Sequence, residues 1–141
     1  MIISRTPFRV SFFGGGTDYP AWYSKNGGAV LATSIDKYCY ISCRKLPPFF
    51  PCKHRIVYSI IESVTKNKEI KHPVVREVFE WMRVSEGLEV HHDGDLPARS
   101  GLGSSSSFTV GLLNALYASH GSIVSKERLA KEATFVEQEL V

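Results

Sequence analysis

Near the middle of the chain, Asp95 to Phe108 read DLPARSGLGSSSSF. Glycines at 101 and 103 let a backbone approach an anion closely, and the N–H groups of such a loop converge on it. Serines at a helix start satisfy the orphan donors there and offer hydroxyl oxygens to a magnesium ion. Phosphate binding is the chemistry this pattern suggests. The same residues would also suit a flexible linker, so the choice turns on what flanks them. A second glycine-rich stretch, GGGTDYP from Gly14 to Pro20, ends the chain's first apolar run and holds Thr17 and Asp18.

The flanking elements can be read from periodicity and breakers. MIISRTPFRVSFF predicts a strand interrupted by Pro7, and AWYSKNGG a short helical turn or loop. AVLATSI and KYCYISCRKL predict two strands joined as a hairpin near Asp36, and RIVYSI a further single strand. From Pro73, a residue suited to a first helical position, Val74, Val78, Phe79 and Met82 recur at helical spacing. GLEVHH returns to strand. Phe108, Leu112 and Leu116, with Leu113 and Tyr117 beside them, predict a helix ending near Gly121. Ser125 suits the N-cap of a last helix whose stripe is Leu129, Ala133, Val136 and Leu140.

Strands, helix, strand, helix, helix is the order of an α+β domain. It sets the serine stretch between a strand and the start of a strong helix, the arrangement that binds phosphate. A linker does not fit that position. A serine-capped helix without a ligand remains the plain alternative. No lysine follows Gly103, so the loop is not of the Walker type.

A chain of 141 residues fits one domain with a real core, and 43% apolar with 22% charged residues is ordinary globular composition. The formal charge of +3 suits anionic ligands without implying nucleic acid. Basic residues are scattered, with no aromatic–basic surface pattern, so no nucleic-acid partner is expected. No apolar run is long enough to span a bilayer, and the N-terminus lacks a secretory core and cleavage site. A cytoplasmic protein without a membrane partner is the expectation, with oligomerisation left open. The three cysteines, Cys39, Cys43 and Cys52, fit reduced thiols, and their spacing with His54 argues against a structural zinc site.

DLPARSGLGSSSSF closely resembles the central ATP-binding motif, P-x3-G-L-G-S-S, of the galactokinase, homoserine kinase, mevalonate kinase and phosphomevalonate kinase (GHMP) superfamily. TPFRVSFFGGGTDYP resembles that superfamily's first motif, above all in its sugar kinases. FFGGGTDYP, GGAVL, IDKYCYIS, HRIVYS and HHDGDLPARSGLGSSSSFTVGLLNAL together are most similar to the bacterial D-glycero-D-manno-heptose 7-phosphate kinases. The resemblance covers essentially the whole chain.

It implies a two-layer, N-terminal ATP-binding domain over residues 1–141, with a mixed or antiparallel sheet packed by helices. ATP and Mg2+ are the implied cofactors. Pro97, Ala98, Arg99, Ser100, Gly101, Leu102, Gly103, Ser104, Ser105 and Ser106 would cradle the ATP phosphates. Ser105 and Glu137 would bind the metal. From the residues alone Glu137 reads as a solvated surface glutamate, as Glu132 and Glu139 do. Arg9 is the implied catalytic cation, a guanidinium suited to developing negative charge. Gly14, Gly15, Gly16, Thr17 and Asp18 would contact the substrate, with Asp18 accepting from sugar hydroxyls; a turn aspartate bonded to its own backbone is the alternative.

Galactokinases carry glutamate and histidine where this chain has Gly15 and Gly16, which argues against galactose and leaves room for a larger or phosphorylated sugar. Arg99, Arg55 and Lys53 are candidate partners for a substrate phosphate. The superfamily's catalytic aspartate and second domain would lie beyond Val141. The chain is therefore expected to be an incomplete member, weakly active at best by itself. The implied reaction is ATP-dependent phosphorylation of the anomeric hydroxyl of heptose 7-phosphate. An L-fucokinase-like sugar 1-kinase and a non-catalytic nucleotide- or RNA-binding fragment are the alternatives.

Overall fold

Among the described residues, five strands form one sheet in the order β1-β2-β5-β3-β4. In the computed structural model, residues 1–97 and 100–141 are described. The chain runs β1 (Ile2–Phe13), α1 (Pro20–Asn26), β2 (Leu31–Lys45), β3 (His54–Val57) and β4 (Ile61–Val64). It continues through α2 (Pro73–Trp81), β5 (Leu88–Gly94), α3 (Ser104–Ser119) and α4 (Lys126–Phe135). Neighbouring strands are antiparallel except β3 and β5, which run parallel. The sheet is thus mixed, and the α+β, two-layer expectation holds.

Alternation along the strands sends one face toward the helices. Phe8, Cys39, Ile41, Cys43, Ile56, Leu88 and Val90 point inward and are buried, against Val75, Val78 and Phe79 of α2 and Leu112, Leu113 and Leu116 of α3. Leu129, Ala133 and Val136 complete this core from the last helix. Of the stripe predicted for that helix, Leu129, Ala133 and Val136 are buried and Leu140 is half-buried. Burial pushes the Cys39 and Cys43 thiols up to about 12 and about 11, so both are protonated core residues. Cys52 lies on the loop after β2.

Three local expectations need correction. Pro7 does not interrupt β1, because β1 is an edge strand and its missing N–H removes no ladder bond. The hairpin predicted near Asp36 is a bulge within one continuous strand, β2. Pro7 pairs with Tyr38 and Arg9 with Ser34, so Phe8 alone faces Ile35, Asp36 and Lys37. RIVYSI is not one strand but β3 and the turn into β4, with Val57 paired to Ile61. By contrast Pro73 opens α2, and Ser125 caps α4, its hydroxyl accepting from Arg128 N at 3.2 Å.

The start of α3 is wedged in place. Phe108 is buried between two imidazoles, His72 stacked at 4.7 Å and His92 edge-on at 4.9 Å between ring centroids. Ser107, also buried, donates to the Pro7 carbonyl at 3.0 Å and ties the helix to β1. The serine run therefore begins a helix locked to the sheet.

Candidate functional site

The glycine-rich loop leaves β5 and is pinned at both ends by neighbouring strands. At its start Asp95 N donates to the Tyr38 carbonyl at 2.9 Å, and Tyr38 N donates to Asp95 Oδ2 at 2.8 Å. At its end Arg9 N donates to the Leu102 carbonyl at 3.0 Å. Gly103 then caps α3 in the left-handed region, at φ 75°. A Cβ there would meet Arg9 Cγ at 2.8 Å, so the arginine side chain lies where any other residue would stand. Strand, glycine loop and helix N-terminus thus meet beside a guanidinium, an arrangement suited to an anion.

The serines divide their work. Ser106 donates back to the Gly103 carbonyl at 3.1 Å, and Ser107 holds β1. Ser105, exposed at the first turn, donates to Glu137 Oε1 at 2.9 Å. Pro97 and Ser100 lie on the exposed loop before the cradle, as does Gly101, which has open space around its Cα. Leu102 and Ser104 are half-buried. The expectations for Ala98 and Arg99 lie outside the described residues.

Glu137 arrives from the far end of the chain. After α4 the helix widens into a π turn over Val136–Leu140, and Val141 N donates to the Val136 carbonyl at 3.1 Å. Val136 is buried, and the neighbouring Glu137, half-exposed, reaches the start of α3 with its carboxylate. Its Oε1 also accepts from Thr109 Oγ1 at 3.0 Å. The two residues assigned to a metal from sequence, Ser105 and Glu137, are therefore brought into contact. Hydroxyl and carboxylate oxygens are hard donors and fit Mg2+, which takes few protein ligands and keeps its water and phosphate ones.

On the other side of Arg9 the GGGTDYP loop lines a groove of about 550 Å³ with Arg9, Ser11, Gly15, Gly16, Asp18 and Tyr19. Gly14 sits against the backbone that leads into β2, and a Cβ on it would lie 1.9 Å from the Ala29 carbonyl oxygen. Thr17 is spent on that same fold: its hydroxyl lies 2.7 Å from the Gly14 carbonyl oxygen and 3.2 Å from that of Ala29, and donates to one or the other. Asp18 Oδ1 accepts from Gly16 N at 3.1 Å, the turn-aspartate role, while the residue still lines the groove. Among the described residues, Arg9 is the one candidate shared by both halves of the site, against Gly103 on one side and in the groove on the other.

Arg55 is placed elsewhere. With Arg44 it pairs with the buried Glu89, in a pocket also lined by Ser42 and His91. Burial alone would raise the Glu89 carboxyl, but hydrogen bonds from His91 and Arg44 and the Arg44 charge hold it below its usual value. Arg55 thus serves the sheet. Sequence reasoning missed Thr109; the signal was its spacing, since Ser105 and Thr109 are four apart on one helix and share a face.

The model of the GHMP kinases N terminal domain matches residues 61–141. A D-glycero-D-manno-heptose 1-phosphate kinase from Bacteriodes thetaiotaomicron has a similar structure, with TM-score 0.81 and 20% identity over 99% of this chain and 48% of its own. Streptococcus pneumoniae phosphomevalonate kinase, solved with phosphomevalonate and AMPPNP, gives TM-score 0.69 and 20% identity over 96% of this chain and 42% of its own. Lactococcus lactis galactokinase complexed with galactose gives 0.68 and 19% over 98% and 38%. This chain spans less than half the length of each. No curated protein sequence matches the chain.

Proposed function

The chain belongs to the GHMP kinases, matched through their N-terminal domain, and from that premise we propose that it forms the ATP-binding part of a sugar kinase. The reaction is transfer of the γ-phosphoryl group of ATP to the anomeric hydroxyl of D-glycero-D-manno-heptose 7-phosphate. The anomeric oxygen bonds to the γ-phosphorus, the bond to ADP breaks, and the product is the 1,7-bisphosphate. The observation that supports this reading most is the meeting of Ser105 and Glu137 at 2.9 Å where the glycine loop enters α3.

Positioning and charge neutralisation supply most of the catalysis in phosphoryl transfer. Backbone N–H groups from Gly101 to Ser105 bind and orient the phosphates. Ser105 and Glu137 would hold Mg2+, which when bound neutralises phosphate charge. Arg9, between cradle and groove, stabilises the negative charge that develops as the phosphoryl group moves. Asp18 orients the sugar through its hydroxyls, and the open space at Gly15 leaves room for a large one. The family resemblance implies an aspartate as the acceptor of the hydroxyl proton. This chain's residues bind and orient.

Saturation-transfer NMR with AMPPNP and Mg2+ tests the substrate. Heptose 7-phosphate is expected to bind saturably, and more tightly than galactose, L-fucose or heptose 1-phosphate. Preference for L-fucose would move the reading to a fucokinase-like enzyme. Nucleotide binding with no sugar binding at all would overturn the assignment of the groove.

A further inference from the structure

Thr109 is fully buried inside α3, yet its hydroxyl reaches a carboxylate. Oγ1 lies 3.0 Å from Glu137 Oε1 and 3.1 Å from the Ser105 carbonyl oxygen. A threonine hydroxyl carries one proton, so only one of these can receive it at a time. Bonding back to the carbonyl four residues earlier is common for threonine in helices and would satisfy the group by itself. That local habit does not account for the glutamate, which comes from an element 28 residues further along. A bond to an ionised carboxylate is also the stronger of the two choices.

The division of Glu137 is informative. Both hydroxyls, of Ser105 and Thr109, converge on Oε1, and Oε2 accepts no hydrogen bond from a described residue. Ser105 is exposed at the rim of the cradle, whereas Thr109 sits one turn deeper in the core. One donor can exchange its partner for a ligand, and the other cannot leave.

We propose that Thr109 is a positioning residue for Glu137: its hydroxyl holds Oε1 from within α3, leaving Oε2 and the Ser105 hydroxyl to the magnesium of the bound nucleotide. The proposal rests on the reading of Ser105 and Glu137 as the metal site and adds the residue that orients it. Groups that orient metal ligands in this way commonly change metal affinity by ~10- to 100-fold when removed. In Thr109→Val the side-chain shape is kept and the donor is lost. In Thr109→Ser the donor is kept.

Calorimetric titration of the full chain with AMPPNP, in Mg2+ and in EDTA, gives the test, with thermal melting to check each variant. The wild type should bind more tightly in Mg2+. T109V should lose ~10-fold or more of that gain, with little change in EDTA, and T109S should keep it. Should T109V not fold, T109C keeps the volume and weakens the donor, and the same loss is expected. A T109V or T109C protein with the full wild-type gain would overturn the role of Thr109 alone. A wild type without any Mg2+ gain would overturn the metal site itself, and the role of Thr109 with it.

Discussion

Gly103 and Gly101 share the same φ of 75° but not the same surroundings. A Cβ at 101 would meet open space, whereas one at 103 would press on Arg9. Gly101→Ala should therefore cost only the left-handed strain, ~1–2 kcal/mol, while Gly103→Ala should cost more and displace the arginine. Urea denaturation of the two variants checks the difference; equal losses would mean that Arg9 moves aside freely. Glu137 is half-exposed, so Glu137→Gln should leave the melting temperature nearly unchanged. It should nevertheless lower the Mg2+-dependent gain in nucleotide affinity by ~10-fold or more, since the neutral amide keeps the shape and loses the charge. At this scale the cradle glycines and the serine run were legible as chemistry from their spacing, with Ser105 picked out of the run only by the family resemblance. Glu137 was not: its partners Ser105 and Thr109 lie about thirty residues away in sequence, and only the family resemblance singled it out.

Elements carry the pH dependence. His54, His72 and His92 all point into the layer between sheet and helices, and burial pushes each imidazole below its ordinary value. For a base whose folded pKa is depressed, the unfolded chain binds more protons in the window below pH ~6.5. Stability from these groups is full above that pH and is lost as pH falls toward the folded values. Urea midpoints should thus drop on going from neutral pH to mildly acid pH; a flat profile would show that the three rings tolerate protonation in place. The loop before α1 gives a second contrast. Gly14→Ala drives a Cβ into the Ala29 carbonyl and should lower the melting temperature clearly, whereas Gly15→Ala meets open space and should fold normally.

Element types were largely legible, because α2 has strong periodicity, α3 is a long apolar run, and the caps use residues with a mechanism: Pro73 in the first turn and Ser125 at an N-cap. The misreadings have one cause. Asp36 and the Tyr58–Ile60 turn are local signals whose outcome is set by pairing partners. Asp36 looked like a turn and became a bulge because β1 pairs with β2 on either side of it, Arg9 with Ser34 and Pro7 with Tyr38.

For the whole molecule, the order of elements sufficed for an α+β domain, but not for the parallel pairing of β3 with β5 or for the sheet order. Those depend on contacts between distant segments. The same topology assembles the candidate site, since β1, the end of β5 and the turn after α4 contribute Arg9, the glycine loop and Glu137 to one place. The central claim is that this place is a nucleotide phosphate cradle. Titrating the isotope-labelled chain with AMPPNP and Mg2+, followed by amide NMR, tests it most directly. Saturable shifts concentrated at Gly101, Gly103, Ser104 and Ser105, with Arg9 and Glu137 responding beside them, are predicted. No saturable shift, or one centred on the Arg44–Glu89–Arg55 face instead, would contradict it.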